Sequence, residues 1–269
     1  MNPVHVCAVL CLLMVTVGPA FAEAPDTVRL EELTWTELRA LVQAGKTTIL
    51  VPIGGTEQNG PHMALGKHNA RVAALAERIA RALGNALVAP VVAYVPEGGL
   101  HPATGHMRFP GTITVPDDVF QRVLESAARG FRLHGFRDVV FLGDHGGTQA
   151  GETAVAARLN REWKGLGARV HAVEEYYRAA TSGFRDLLKA RGHRAEELGG
   201  HAGLPDTSLT LALDPRLVRE SVLRAGEAPG TASGVEGDPR RASAELGRLG
   251  VDLVVSRTVT AIKESTTRR

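Results

Sequence analysis

Strand-like and helix-like segments alternate along most of this chain, and this alternation limits the possible folds more than any other feature. The apolar run 47–53 ends in two glycines, and residues 69–83 follow with apolar side chains at helical spacing. A second strand-like run covers 86–95, and a helix is predicted from Pro116 to about His134. This order is typical of a largely parallel sheet with helices on both faces.

The second half of the chain continues the pattern. We predict strands over 139–142 and 168–173 and helices over 149–163 and 183–190. Residues 226–237 are rich in Gly, Ala, Ser and Glu and are predicted to form a loop. The tail from Ala242 combines a helix with a strand-like run over 251–255.

We find no internal repeat and no linker that would divide the chain. Residues 23–269 are therefore predicted to form one α/β domain, with three layers (α/β/α) and a mostly parallel central sheet.

The first 22 residues are predicted to lie outside this domain. An apolar run from Val4 to Val17 leads to Ala20-Phe21-Ala22, the pattern of a signal peptide cleaved after Ala22. The segment departs from that pattern because it has no Lys or Arg near its start. An uncleaved anchor is the alternative, but the run is shorter than the ~20 residues of a membrane span. We therefore predict a periplasmic or secreted protein with no stable membrane association after cleavage.

Composition excludes several classes of partner. Hydrophobic residues make up 44% and charged residues 22% of the 269 residues, which is ordinary for a globular protein. The 31 Lys and Arg nearly balance the 29 Asp and Glu, and aromatic residues are only 4%, so nucleic acid is not expected as a partner. Both cysteines, Cys7 and Cys11, lie in the leader, so no disulfide framework is expected in the mature chain.

Three polar, glycine-rich segments carry the chemistry: residues 54–68, 143–148 and 199–208. None has the spacing of a phosphate-binding P-loop, a dinucleotide fingerprint or a nucleophilic serine elbow. What they share is Glu, His and Asp, the side chains that bind Zn²⁺, Mn²⁺ or Fe²⁺. Because ligands of open α/β sheets bind outside the carboxyl ends of the strands, a metal site is predicted there.

Four short sequence blocks, three within these segments and one between the first two, resemble the creatininase family, the metal-dependent creatinine amidohydrolases and their relatives. The blocks, in the order of the family, are Glu57-Gln58-Asn59-Gly60-Pro61-His62, His106-Met107-Arg108-Phe109-Pro110-Gly111-Thr112, Gly143-Asp144-His145-Gly146-Gly147, and His201-Ala202-Gly203 with Asp206-Thr207-Ser208. The resemblance implies a creatininase-like fold, a divalent metal, a small-molecule substrate and a homo-oligomer, possibly a hexamer.

The chain also departs from the family at residues that matter for the metal. Asn59 stands where the family has a metal-binding His, and His68 stands where it has a metal-bridging Asp. An imidazole normally binds one ion through one nitrogen, whereas a carboxylate can bridge two. We therefore expect one metal per subunit (Zn, Mn or Fe), bound by Glu57, His68 and His145 with one position open for water.

The resemblance also implies catalytic roles. His201 matches the catalytic His of the family and would pass a proton to the leaving nitrogen, and Asp206 would orient His201 or approach the metal. A further set is expected to bind substrate or support the ligands: Asn59, His62, His106, Asp144 and Tyr176.

Each assignment has a structural alternative. His68 could instead be a solvated residue just before the helix predicted over 69–83. Glu57 could instead be a loop carboxylate that caps the same helix. His62 and His106 could brace loops, Tyr176 could be half-buried packing, and Lys67 is expected to be solvated.

The sequence thus predicts an exported, metal-dependent hydrolase that acts on a C–N bond, an amide or cyclic amide of a small molecule. Two alternatives keep the same fold. One is a metal-dependent lyase or isomerase acting on a sugar-like ligand, and the other is a non-catalytic periplasmic binding module.

Overall fold

A four-stranded parallel sheet forms the centre of the computed structural model, which describes residues 25–225 and 230–267. Its strands are β1 (Thr48–Ile53), β2 (Ala86–Val88), β3 (Asp138–Gly143) and β4 (Arg169–Ala172), and their order is β2-β1-β3-β4. The predicted leader, residues 1–22, lies outside the described residues.

The register places the ends of β1 and β3 side by side. Thr48 pairs with Asp138 at the start of the two strands, and Ile53 pairs with Gly143 at their ends. The loops that follow β1 and β3 therefore begin at the same level of the sheet.

Helices follow each strand. The α-helices of the described chain are α1 (Trp35–Gln43), α2 (Lys67–Leu83), α3 (Asp117–Leu133), α4 (Gln149–Glu162), α5 (Glu174–Arg178), α6 (Phe184–Ala190), α7 (Leu204–Leu213), α8 (Glu220–Leu223) and α9 (Ala244–Thr267). A π-helical turn, Ala179–Gly183, joins α5 to α6.

The sheet separates two hydrophobic clusters, because successive side chains of a strand point to opposite faces. Leu50 and Val140 belong to the cluster that α2, α6, α7 and α9 cover. Val51 and Phe141 belong to the other, which α1, α3 and α4 cover. This arrangement confirms the predicted three-layer α/β/α fold.

The connections place a switch point between β1 and β3. The helix after β1, α2, packs on one face of the sheet, and the helix after β3, α4, packs on the other. The chain therefore leaves the carboxyl ends of these two central strands in different directions, which opens a crevice where ligands of such sheets bind.

Two local predictions were wrong. Residues 251–255 lie inside α9 and not in a strand, because Val251, Val254, Thr258 and Ile262 repeat at helical spacing and are buried. The strand predicted over 86–95 ends at Val88, and Val92 returns only to make a single bridge with Ile53. Within the described residues, no helix is long and apolar enough to cross a membrane.

Candidate metal centre

The carboxylate of Glu57 lies at the centre of the site, in the loop that follows β1, and is fully buried. Close packing of the preceding glycines on α2 sets its position. A β-carbon on Gly54 would lie 2.1 Å from Asn69 Oδ1, so a larger residue does not fit there. Asn69 Oδ1 also accepts a hydrogen bond from the backbone N–H of Gly55 at 3.0 Å, which ties the loop to the helix.

Two further side chains reach Glu57 from neighbouring loops. His145 follows β3, and its Nε2 lies 3.3 Å from Glu57 Oε2 and 3.2 Å from Glu97 Oε2. Glu97 follows the β2 segment and is also buried. Gly55 permits its approach, because a β-carbon there would lie 2.5 Å from Glu97 Oε1.

The donor set fits a divalent cation. Ligand atoms of Glu57, Glu97, His106 and His145 lie within 4.8 Å of one another. Glu57 Oε2 and both Glu97 oxygens are buried with no hydrogen-bond partner among the described residues. Buried carboxylate oxygens normally have donors or bind a metal, so these oxygens mark a place for a cation.

The charges of the two carboxylates act on each other. Burial, together with the charge of Glu57, raises the pKa of Glu97 to about 9. Burial also acts to raise the pKa of Glu57, but the charge of His68 and the close approach of the His145 and His68 rings outweigh it and hold that pKa below its usual range. Without a cation, one carboxylate therefore stays ionised and the other keeps its proton at neutral pH.

Two histidines of the cluster are held through Nδ1. Gln58 Nε2 lies 3.0 Å from His106 Nδ1, and the backbone N–H of Gly147 donates to His145 Nδ1 at 3.2 Å. These contacts turn Nε2 of both rings towards Glu57.

His201 lies beside the cluster. Its Nε2 is 2.9 Å from the backbone carbonyl oxygen of Gln58, which accepts, and 3.1 Å from Gln58 Nε2, which donates, so either tautomer finds a partner there. Its Nδ1 lies 3.7 Å from Glu57 Oε1. Burial and the charge of Lys67 lower the pKa of His201 to about 4.

His68 lies between two carboxylates and away from the unpartnered oxygens. Its Nε2 is 2.6 Å from Glu57 Oε1, and its Nδ1 is 2.6 Å from Asp144 Oδ2. Asp144 also accepts hydrogen bonds from Tyr176 and Arg71. The structure thus places His68, predicted as a metal ligand, as a link between Glu57 and a second carboxylate, and Tyr176 is fully buried behind it.

A pair of buried cations completes this network. The carboxylate of Asp206 is bonded to the Lys67 ammonium, to Arg71 and to the backbone N–H of Ala202. The expectation that Lys67 is solvated was wrong: its side chain is 1% exposed, because Asp206 supplies a buried partner. No hydrogen bond joins Asp206 to His201 in the described chain.

Two other predicted residues brace loops. Asn59 Nδ2 donates to the carbonyl oxygens of Glu57 and Ala64. His62 Nε2 lies 2.9 Å from Thr207 Oγ1, away from Glu57.

Sequence reasoning missed Glu97. A sequence pattern could have identified it, because Glu97 follows a strand-like run and precedes Gly98-Gly99. The same pattern, a strand-like run that leads into a glycine-rich polar segment, identified the loops of Glu57 and His145.

The fold and this cluster define an α/β protein with a buried glutamate and histidine centre at the switch point of a parallel sheet. The chain belongs to the creatininase family, since the family's sequence model, described as creatinine amidohydrolase, matches residues 31–262. The resemblance seen in the sequence is thereby confirmed.

Relatives with different substrates match the chain. It is 27% identical over 208 residues to the 3-dehydro-scyllo-inosose hydrolase of Thermotoga maritima, a match that spans 74% of this chain and 60% of that protein. It is 30% identical over 234 residues to the mycofactocin precursor peptide peptidase of Mycobacterium tuberculosis, spanning 75% of this chain and 78% of the peptidase.

Solved creatininases share the fold. A structure described as a manganese creatininase superposes with a TM-score of 0.75 at 26% identity, covering 89% of this chain and 99% of that one. Another neighbour is described as a mutant creatininase of Zn-Zn type.

Proposed function

We propose that this protein is a metal-dependent hydrolase that cleaves a C–N bond, an amide or cyclic amide, in a small molecule. The observation that carries the proposal is the group of buried carboxylate oxygens on Glu57 and Glu97 that lack partners beside His145. Glu57, Glu97, His106 and His145 would hold the ion. A divalent metal supplies Lewis acidity there, which polarises a carbonyl and lowers the pKa of a water molecule.

His201 moves the proton in this proposal. With a pKa of about 4 it is neutral at pH 7. In the tautomer whose Nε2–H donates to the Gln58 carbonyl oxygen, Nδ1 is free to accept a proton from the attacking water and to deliver it to the leaving nitrogen. Asp206 acts through its ion pairs and not by direct contact with His201.

We also propose one metal per subunit, on the ground of charge. The centre contains four acidic side chains, of Glu57, Glu97, Asp144 and Asp206, and two permanent cations, Lys67 and Arg71. His68 adds a third positive charge, because both of its ring nitrogens face carboxylate oxygens, so one negative charge is left over and one dication more than balances it. A second would leave uncompensated positive charge in a buried site, which is costly.

The choice of metal, Zn, Mn or Fe, and the substrate are part of the proposal. Relatives are named for creatinine, an inosose and a precursor peptide, so family membership does not fix the bond that is cleaved. The small, polar, buried donor set supports a small polar substrate. Export after cleavage at Ala22 and assembly as a homo-oligomer stay predictions, which intact mass from the native host and sedimentation would test.

The test is removal and return of the metal. Protein treated with a chelator and dialysed should lose hydrolysis of a panel of small amides that includes creatinine, and one equivalent of Zn²⁺ or Mn²⁺ should restore it. Turnover that survives complete metal removal would contradict the proposal. Ligand binding without turnover by the metal-loaded protein would favour the binding-module alternative.

A further inference from the structure

A second cavity lies beside the metal centre and contains groups that the proposed hydrolysis does not use. It has a volume of about 180 Å³ and is lined by Arg71, Tyr177, Thr181, Arg185, Gly200 and Asp206, among others. Pockets that enclose a whole ligand usually exceed ~300 Å³, so this cavity suits one part of a ligand.

The cavity adjoins both histidine loops of the site. Gly200, in its wall, directly precedes His201. The hydroxyl of Tyr177 lies 2.8 Å from the point that a β-carbon on Gly146 would occupy, and Gly146 directly follows His145. A group held in the cavity therefore lies next to the residues that would carry out the hydrolysis.

One helical segment supplies the polar wall. Tyr177, Thr181 and Arg185 are spaced four residues apart on the run from α5 to α6, which contains the π-helical turn Ala179–Gly183. An α-helix has 3.6 residues per turn, so a spacing of four would drift around its surface. The π-helical turn has more residues per turn than an α-helix, so it offsets this drift and keeps all three side chains at the wall of the cavity. Such turns are frequent at functional sites.

Arg185 is the cation in this wall that has no partner. Arg71 is bonded to Asp144 and Asp206. Arg185 makes no hydrogen bond or ion pair with any described residue. The carboxylate of Glu236, an exposed residue, lies near the same point of Gly200 as Arg185 Nη1, but the two side chains form no ion pair. The hydroxyl of Tyr177 also donates to no described residue, so two donors are left for a ligand.

We propose that this cavity binds a carboxylate group of the substrate through Arg185 and Tyr177, and that Arg185 thereby determines specificity for acidic small molecules. This inference rests on the proposed function. The planar guanidinium matches a carboxylate with two parallel hydrogen bonds. A single unpaired cation balances a carboxylate, whereas a phosphate carries about −1.5 to −2 and would leave negative charge next to Asp206.

The test compares two matched probes on metal-loaded mature protein by ligand-observed NMR titration. N-Acetylglycine carries the carboxylate, and N-acetylglycinamide is its neutral analogue. The wild type should bind N-acetylglycine at least about tenfold more tightly, as expected for a charge-assisted hydrogen-bonded pair. Arg185→Gln should abolish that preference, and Arg185→Lys should keep part of it. Arg178→Gln, on the same helix but paired with Glu175 and outside this cavity, should behave as wild type.

Three results would overturn the proposal: equal binding of the two probes by the wild type, an unchanged preference in Arg185→Gln, or tighter binding of inorganic phosphate than of N-acetylglycine. Metal content is measured in the same samples, and the titration is repeated after chelator treatment. A preference that depends on Arg185 and survives metal removal supports the carboxylate site even if the metal-dependent hydrolysis fails.

Discussion

The ammonium group of Lys67 is bonded to the carboxylate of Asp206 in the interior, with the lysine side chain 1% exposed and the aspartate side chain 13% exposed. Arg71 is bonded to the same carboxylate from the next turn of α2. Burial would raise the pKa of Asp206, but the charges of Lys67 and Arg71 outweigh it and hold that pKa well below the usual range. A permanent positive charge is thus built into the wall of the metal centre.

Removal of the lysine charge should destabilise the protein. Lys67→Met keeps most of the side-chain volume but leaves Asp206 with one buried partner fewer, and we expect a loss of about 3–5 kcal/mol in the free energy of unfolding. Urea unfolding of metal-loaded protein measures this. Lys263→Met, at an exposed position on α9, is the matched control. Adding Asp206→Asn to Lys67→Met should recover part of the lost stability, because the carboxylate left without its partner is then removed. A Lys67→Met variant as stable as the control would show that the Lys67–Asp206 ion pair contributes little to stability.

His201 should be needed for turnover and not for the metal. In His201→Ala we expect turnover to fall by about 10²–10⁴-fold, the usual contribution of a positioned acid or base. Metal content should stay at the wild-type level, because His201 is not among the residues that face the unpartnered oxygens. His134→Ala, an exposed residue at the end of α3, controls for general effects. Full activity of His201→Ala would remove it from the mechanism.

Metal uptake should release protons. Without metal, the raised pKa of about 9 keeps Glu97 protonated at pH 7, so a bound cation must displace that proton. Apparent metal affinity should therefore rise with pH up to about pH 9. Calorimetric titration in buffers with different ionisation enthalpies counts the protons. Glu97→Gln should weaken binding and reduce the count, and a binding enthalpy independent of the buffer would contradict this reading.

Glu152 should make stability fall as pH rises, independently of the metal. It is fully buried on α4, and burial raises its pKa from 4.5 to about 7. Above pH 4.5 the unfolded chain ionises at this residue while the folded chain does not, so stability falls between about pH 4.5 and 7 and is flat above. The loss is roughly 3 kcal/mol for a shift of this size. Urea unfolding at a series of pH values measures this dependence of stability on pH, and Glu152→Gln should remove it. If the variant showed the same pH dependence as the wild type, the effect would belong to other titrating groups.

The sequence predicted the fold well because its signals are local. Apolar runs and helical spacing around β1, α2 and β3 depend on neighbours in the chain, and the structure confirms them. The strand wrongly predicted over residues 251–255 consists mostly of residues that favour strands, and packing of α9 overrides that preference.

The site could be predicted only in part. The loops after β1 and β3 identified Glu57 and His145, but no local pattern brings Asp206 to Lys67, from which it is 139 residues distant along the chain. Lys67 was therefore predicted to be solvated. Glu97 was missed because it lies outside the three polar segments and the four blocks that resemble the family.

The most direct test of the account is the position of the metal itself. Crystals of the Zn²⁺- or Mn²⁺-loaded protein, measured at the absorption edge of the metal, should give one anomalous peak per chain among Glu57, Glu97 and His145. Elemental analysis of the dialysed protein should give one equivalent. Two peaks per chain, or a single peak between His68 and Asp144, would contradict the account.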